Sequence, residues 1–312
     1  MKKAIIYIGN FVPPFSTEND YKKSFEALGW QVKPIQENLM DETTVKEIVA
    51  TAHNYDFILY TRTWARTDAL WRKVLAGVKG RTPTVSVHLD LYIGLDRGKD
   101  LMADSFFLSD FVFSPDGGNH ELIKSMGCNH FWLPPAILKD SVYLGEPKDE
   151  YKHDVIFVGS YNYHSEWGYR KYLINWLKNT YGDRFRLYGT NESVRGKELN
   201  SLYNSAKVVM GDSTYTPAYW SDRIPETVGR GGFLIHPRVD KLDMHFDLYK
   251  HLIPYYVGEM KTLKEIIDYY IAHDEERDAI RLAGQQHVLA HHTYEVRVGQ
   301  ILDILKENKA IL

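Results

Sequence analysis

The chain of 312 residues has a single cysteine, Cys128. One thiol cannot close an internal disulfide, so this is not a disulfide-stapled secreted domain. Long apolar runs are missing too. After Met1-Lys2-Lys3 the apolar stretch covers only residues 4–8 and stops at Gly9-Asn10, short of the roughly 7–15 residues of a secretory h-region. No segment approaches the ~18 apolar residues of a membrane span. The expectation from these absences is a cytoplasmic protein without stable membrane insertion. A dominant charge is also missing. The formal net charge is −3, so no global field draws the chain to nucleic acid or to an anionic membrane. Hydrophobic residues make up 44% and charged residues 25%, which excludes a disordered or fibrous chain. At roughly 150 residues per domain the length suggests about two domains.

What is present is alternation. Residues 3–8, 30–35, 55–60, 83–88 and 111–113 read as short buried strands, and residues 17–28, 43–52 and 68–78 as helices between them. That order implies a parallel sheet with helices on both faces. The second half repeats the phrase: His153-Asp-Val-Ile-Phe-Val-Gly159 mirrors Lys3-Ala-Ile-Ile-Tyr-Ile-Gly9, a strand closed by glycine. Strands at 184–188, 207–210 and 232–236 follow, with helices at 168–179 and 199–205, one opening at Pro225, and a helical tail over 262–309 that breaks near 290–293. Leu133-Pro-Pro-Ala136 leads into a polar stretch, linker chemistry that places a hinge near 136–150. The fold class expected is α/β, two tandem Rossmann-like doubly wound domains at 1–140 and 150–290, with 291–312 a terminal helix packing back towards the first. In such sheets ligands sit at the carboxyl ends of the strands, here in a cleft between the domains.

The segment Ser221-Asp-Arg-Ile-Pro-Glu-Thr-Val-Gly-Arg-Gly-Gly232 is the richest in chemistry. Pro225 suits a first helical turn. A helix N-terminus offers N–H groups and a positive dipole end to a phosphate, and Arg223 can neutralise a diphosphate. Glu226 can accept two ribose hydroxyls. The plainer alternative is a helix start with Asp222 as N-cap and Glu226 matching the dipole. Gly9 and Asn10 end the first strand, where glycine allows close approach of a ligand or simply a tight turn. Phe11-Val-Pro-Pro-Phe15 is an apolar loop that either walls an acceptor site or packs on its own domain. His88 ends the fourth strand with Asp90 two residues on; histidine suits proton handling near neutrality, and a strand-end histidine also serves structure. Asp116 is a further strand-end carboxylate. His287, His291 and His292 have metal-like spacing, but no His-Glu-x-x-His pattern follows, and no metal is expected. Arg62, Arg66, Arg72, Lys73, Lys79 and Arg81, interleaved with Trp64 and Trp71, form a basic strip that is either a solvated face or a surface for an anionic acceptor.

The run from Ser221 to the glycine-rich turn and the strand ending at His236 resembles the donor-binding motif of GT-B glycosyltransferases, in particular the group 1 (GT4-like) set and the CgeB-like spore-maturation proteins. Phe157-Val-Gly-Ser160, the helix before Val208-Val-Met210 and His292-Thr-Tyr-Glu-Val-Arg297 extend the resemblance over about 154–300. It implies that Glu226 holds the nucleotide ribose, with Pro225 and Thr227 in the same motif. Asp222 and Arg223 would lie by the donor sugar and diphosphate. Gly159 and Ser160 would approach the phosphates, Arg170 (with Lys171) would supply the basic group, and Tyr188, Gly189 and Thr190 would flank the base. His88 resembles the histidine near the donor sugar. The second glutamate of many group 1 enzymes is replaced by Ala218, and Asp222 is its candidate substitute. The resemblance implies a metal-independent transfer, with retention favoured, of a sugar from a nucleotide-sugar such as UDP-glucose. No cofactor is required. The acceptor (saccharide, protein, lipid or modified nucleic-acid base) would be held by Phe11, Arg62, Trp64 and Asp90. The alternatives are a non-catalytic nucleotide-sugar binding protein and a phage-type DNA-base glycosyltransferase.

Overall fold

The computed structural model is described over residues 3–62, 67–93, 103–162, 168–189, 191–214 and 216–312. The chain forms two compact units. Unit 1 is Met1–Leu138 together with Tyr294–Leu312, and unit 2 is Lys139–Thr293.

Unit 1 runs β1 (Ala4–Gly9), α1 (Thr17–Ala27), β2 (Gln31–Gln36), α2 (Glu42–Thr51), β3 (Phe57–Tyr60), α3 (Asp68–Val78), β4 (Thr84–Val87), β5 (Phe111–Ser114), α4 (His120–Ser125) and β6 (His130–Trp132). Among the described residues its sheet has the order β2-β1-β3-β4-β5-β6, and the pairs are all parallel. Side chains alternate across a strand, so β1 feeds two cores. Ile5 and Tyr7 pack with Tyr21 and Phe25 of α1, and Ile6 and Ile8 pack with Ile48 of α2 and Trp71 and Val74 of α3. Ser16 and Asp41 cap α1 and α2 by accepting from Asn19 N and Thr44 N, as short polar side chains do at helix starts. Pro34 is tolerated in β2 because β2 is an edge strand.

Unit 2 runs β7 (Val155–Val158), α5 (Gly168–Tyr181), β8 (Phe185–Tyr188), α6 (Lys197–Ser205), β9 (Val208–Met210), α7 (Arg223–Gly229), β10 (Leu234–Pro237), β11 (Ile253–Tyr255), α8 (Met260–Ala272) and α9 (Asp274–His291). The sheet order is β11-β10-β9-β7-β8, again parallel. Phe157 faces Leu173 and Leu177 of α5 and Ile267 of α8, whereas Ile156 faces Leu199 and Leu202 of α6. Among the described residues no helix is long and apolar enough to cross a membrane.

Residues 139–149 differ from the linker that their composition suggests, because they belong to unit 2. Their backbone is satisfied by α6. Asn200 Nδ2 donates to the carbonyls of Ser141 (2.9 Å) and Tyr143 (2.7 Å), Asn204 Nδ2 to Gly145 (2.6 Å), and Ser205 Oγ accepts from Lys148 N (2.9 Å). Polarity there reflects a segment strapped to a polar helix face. The last helix, α10 (Tyr294–Glu307), belongs to unit 1. Tyr294, Val298, Ile301 and Leu305 complete the core under α1. Arg297, 2% exposed, donates from Nε to Pro134 O (2.6 Å) and from Nη2 to Pro135 O (3.3 Å). Burial lowers its pKa to about 10. Replacing Arg297 by Leu strands two buried carbonyls, so unit 1 should lose about 2–4 kcal/mol in urea unfolding. Lysine, whose three donors radiate from one nitrogen where Arg297 uses two, should not restore it.

Candidate functional site

In an open parallel sheet the two neighbouring strands whose connections leave in opposite directions open a crevice at their carboxyl ends. In unit 2 these strands are β7 and β9. The residues that follow them are Gly159-Ser160 and Gly211-Asp212. Gly159 has φ 146°, a region closed to most side chains.

Asp212 organises the crevice. Its side chain has no exposure. Arg170 from α5 grips it with Nε (2.6 Å) and Nη2 (3.2 Å), and Arg223 Nε lies 3.3 Å from the same carboxylate. Both guanidiniums lie over the Phe157 ring, Arg223 at 4.6 Å and Arg170 at 5.7 Å from its centroid. Arg170 spends Nη1 on Ser160 O (3.2 Å), so each of its nitrogens has a protein partner. Arg223 Nη1 donates to Val158 O. Its Nη2 lies against Gly159, 3.0 Å from where a Cβ would stand, and makes no hydrogen bond among the described residues. Two cations share one carboxylate, leaving positive charge and free donors beside a glycine. That arrangement suits an anion. Lys171 is not part of the cluster.

The helix start contributes less than expected. Ile224 N donates to Ser221 O (3.3 Å), Arg223 N reaches Ser221 Oγ (3.4 Å), Pro225 has no N–H, and Glu226 N donates to Asp222 O (2.9 Å). The N–H groups of α7 are therefore spent internally, and an anion contact falls to the Arg223 side chain. Asp222 holds the N-cap position but has helical torsions and makes no capping bond. Glu226 accepts from Arg230 Nε at Oε2 (2.7 Å), and Arg230 is held in turn by Asn200. Oε1 accepts nothing among the described residues. Burial raises the Glu226 pKa against the pull of Arg230. Thr227 is fully buried, its methyl 2.7 Å from where a Cβ on Gly232 would stand, and so serves packing. Ala218, at the missing glutamate, is buried with φ 51°.

Beside the crevice lies a cavity of about 510 Å³ lined by Ser160, Tyr161, Asn162, Gly189, Asn191 and Glu192, among others. Gly159 N donates to Tyr188 O (2.9 Å), and a Cβ on Gly189 would stand 3.3 Å from Gly159 O, so β7 and β8 close tightly at this end. Tyr188 turns its hydroxyl to His153 Nε2 (3.1 Å) instead. Thr190 lies outside the described residues.

In unit 1 the corresponding strands are β1 and β3. A Cβ on Gly9 would stand 2.7 Å from Thr61 Oγ1 and 2.8 Å from Glu18 Cγ. Asn10 Oδ1 accepts from Gln36 Nε2 (3.1 Å), and Phe11 N donates to Gln36 Oε1 (2.8 Å). Phe11 packs edge-on against Tyr7 at 5.0 Å, so it belongs to its own core, and residues 12–15 of the loop are exposed. His88 is buried between Tyr92 and Phe106, with Nδ1 on Asp90 O. Asp90 N lies 3.4 Å from the same nitrogen, so the Asp90 backbone holds the ring through both its groups. Asp90 Oδ1 accepts from Leu91 N (2.8 Å).

The basic strip is largely neutralised. Arg62 pairs with Asp104, Arg72 with Asp68 and Lys73 with Glu42, while Arg81 turns back to Gly77 O. Glu42 and Asp104 lie outside the Arg62–Arg81 stretch. Trp64 and Arg66 lie outside the described residues. In unit 2, His287 Nε2 (2.6 Å) and His292 Nε2 (3.3 Å) both face His245 O, and the His292 ring stacks on Phe246. Among the described residues no group of histidine, cysteine or carboxylate side chains is arranged to hold a metal. Sequence reasoning missed Asp212 and Arg230. The signal for Asp212 was a Gly-Asp pair closing a strand, visible once the strand order is known.

Residues 170–303 match the protein family described as "Glycosyl transferase-like". No curated protein matches the chain by sequence. Solved structures resemble it over almost its whole length. HepE of Anabaena, in complex with UDP and glucose, is 14% identical, with 97% of this chain and 99% of that one covered and a TM-score of 0.65. An alpha-glucosyltransferase in complex with UDP-glucose and DNA containing an abasic site is 12% identical, with 97% and 99% covered and a TM-score of 0.67. Sucrose-phosphate synthase of Thermosynechococcus elongatus is 11% identical, with 98% and 99% covered and a TM-score of 0.64. The likeness is one of fold, and that fold is GT-B.

Two outcomes follow from the crevice. Gly159→Ala forces a side chain into φ 146° and against Arg223 Nη2, so anion affinity, read by calorimetry with pyrophosphate, should fall while Asp212 and Arg170 keep the unit folded. His236, fully buried beside Arg223, is held down at about 4 by burial and by that cation. An unfolded histidine takes a proton near 6.5, so the neutral His236 contributes stability above that pH and loses it as pH falls towards 4. His236→Gln should flatten this part of the melting-temperature profile between pH 7 and 4.5.

Proposed function

We propose that this chain, which has the GT-B fold, is a glycosyltransferase whose unit 2 binds a UDP-sugar and passes its sugar to a hydroxyl of an acceptor held by unit 1. The observation that carries the reading is the Asp212-bridged pair, Arg170 and Arg223, at the crevice of unit 2. The diphosphate lies against Gly159 and Arg223 Nη2. Glu226, steadied by Arg230, offers Oε1 to the ribose hydroxyls. The base enters the cavity by Ser160, Gly189 and Asn191. The resemblance makes Asp222 of unit 2 and His88 of unit 1 the candidates for contact with the sugar.

In the transfer, the bond from the sugar's anomeric carbon to the diphosphate oxygen breaks and the acceptor oxygen forms the new bond. The acceptor's proton passes to the departing phosphate oxygen on the same face, so configuration is retained. Arg223 stabilises the charge that develops on the diphosphate, a preorganised electrostatic contribution, and this supplies the cationic role without a metal. For the acceptor, a neutral polyhydroxy compound fits better than DNA, because among the described residues Arg62, Arg72 and Lys73 are paired with carboxylates and Arg81 is turned to a carbonyl.

A thermal-shift panel of UDP-, GDP-, ADP- and TDP-sugars, with and without EDTA, tests the reading. A shift confined to UDP-sugars and insensitive to EDTA is expected; no shift with any of them removes the nucleotide-sugar assignment. Glu226→Ala should weaken UDP binding by about tenfold or more, the scale of a hydrogen bond to a charged group. Unchanged affinity would cancel its ribose role. Binding of UDP-glucose without hydrolysis or transfer would mark a non-catalytic binding protein.

A further inference from the structure

At the carboxyl end of β5 four polar side chains stand in one row. Asp116 and Ser114 have no exposure and His130 is 1% exposed, yet they fill no part of the transfer just described. Asp116 Oδ1 accepts from Tyr92 N (3.0 Å) and Ile93 N (2.9 Å), and Oδ2 accepts from Ser114 Oγ (2.9 Å). Ser114 Oγ lies 2.9 Å from His130 Nε2, and His130 Nδ1 lies 2.9 Å from His120 Nδ1. His120 reaches solvent, its side chain 29% exposed.

Valence fixes the protons along the row. A carboxylate only accepts, so the Ser114 hydroxyl proton points at Asp116. Its oxygen accepts Asp116 N–H (3.2 Å), and its other lone pair takes His130 Nε2–H. A neutral His130 is then left with a lone pair on Nδ1, which His120 Nδ1–H must fill. Each donor points inward from the surface to the buried charge.

The row ends at a loop that matters. Asp116 holds the amides of Tyr92 and Ile93, Asp90 Oδ1 holds Leu91 N, Asp90 O holds His88 Nδ1, and His88 N donates to Phe113 O (2.8 Å). The turn from 88 to 93 is thus tied at both ends to the terminus of β5.

We propose that Asp116 is a positioning residue for His88, and that Ser114, His130 and His120 form a proton path linking its charge to solvent. A proton arriving at His120 Nε2 displaces the Nδ1 proton to His130 Nδ1; the His130 Nε2 proton passes to Ser114 Oγ, and the Ser114 proton to Asp116 Oδ2. One proton enters, no bond is left open, and the row reverses direction. Once neutral, Asp116 holds the amides of Tyr92 and Ile93 less tightly, and His88 loosens as pH falls. The charges facing the row act in opposite senses. Asp90 favours protonation of Asp116, Glu121 favours a charged His120, and Lys124 opposes charge on both histidines. Burial raises the Asp116 pKa and holds His130 at about 3, so its ring relays without staying charged. The link to His88 rests on the donor reading above; the proton path does not.

Imidazole nitrogen NMR of the whole protein at neutral pH tests the path. The Nδ1–H tautomer is expected for His120, against the usual preference, and the Nε2–H tautomer for His130; the reverse at either ring overturns it. Asp116→Asn should speed hydrogen exchange at Tyr92 and Ile93 by about tenfold and lower kcat while UDP affinity stays the same. Unchanged exchange in a folded variant overturns the positioning role. His130→Gln keeps a donor for Ser114 but cannot relay, so it should preserve slow exchange and lose its acid dependence, whereas His130→Phe loses both. If UDP does not bind, the donor reading falls while the tautomer and exchange results still decide the path.

Discussion

Removing a carboxylate from water costs several kcal/mol unless cations take the water's place, and at Asp212 two guanidiniums do so. Much of unit 2 follows from that constraint. Arg170 must come from α5 and Arg223 from the start of α7, so two helices on different connections are drawn to one point above β7 and β9. Phe157 offers its ring beneath them, which requires the β7 terminus to present an aromatic side chain on that face. Gly159 must lack a side chain because Arg223 Nη2 stands where a Cβ would crowd it. The same packing separates the two arginines in kind. Arg170 is consumed in holding the carboxylate, and Arg223 retains donors that face outward.

The winding of both sheets was legible because buried parallel strands read as short apolar runs closed by glycine, as at residues 4–9 and 155–159. The strands that escaped notice had physical reasons to do so. His130-Phe-Trp132 spans three residues and begins with a buried polar ring. Ile253-Pro-Tyr255 carries a proline that only its edge position allows. The site was partly legible for a similar reason. Arg223 and Glu226 stand in a motif whose local spacing carries meaning, and Glu226 has a local partner in Arg230 four residues on, although Arg223 meets residues more than 60 positions away. Asp212 is 42 residues from Arg170 in sequence, and nothing in its vicinity announces that the two will meet. The helix start misled because the sequence displays N–H groups without showing where they go; Ser221 and Asp222 take them. The basic strip misled in the same way, since Asp104 and Glu42 approach from other parts of the chain.

The two units terminate their strands by the same rule and with opposite charge. Loops at a sheet's carboxyl edge must find partners for their backbone groups. In unit 2 arginine side chains supply donors to the carbonyls of Val158 and Ser160. In unit 1 carboxylates and amides serve the loop ends, with Asp116 accepting from Tyr92 and Ile93 and Gln36 bonded to Asn10 and Phe11. Glu18 and Glu37 are buried there as well, Glu37 accepting from Tyr60 and Thr67. Arginine donors therefore serve the one edge, and buried carboxylates and an amide serve the other. A phosphate has only acceptors to offer and is drawn to the first. The two units thus satisfy their loop ends with side chains of opposite charge.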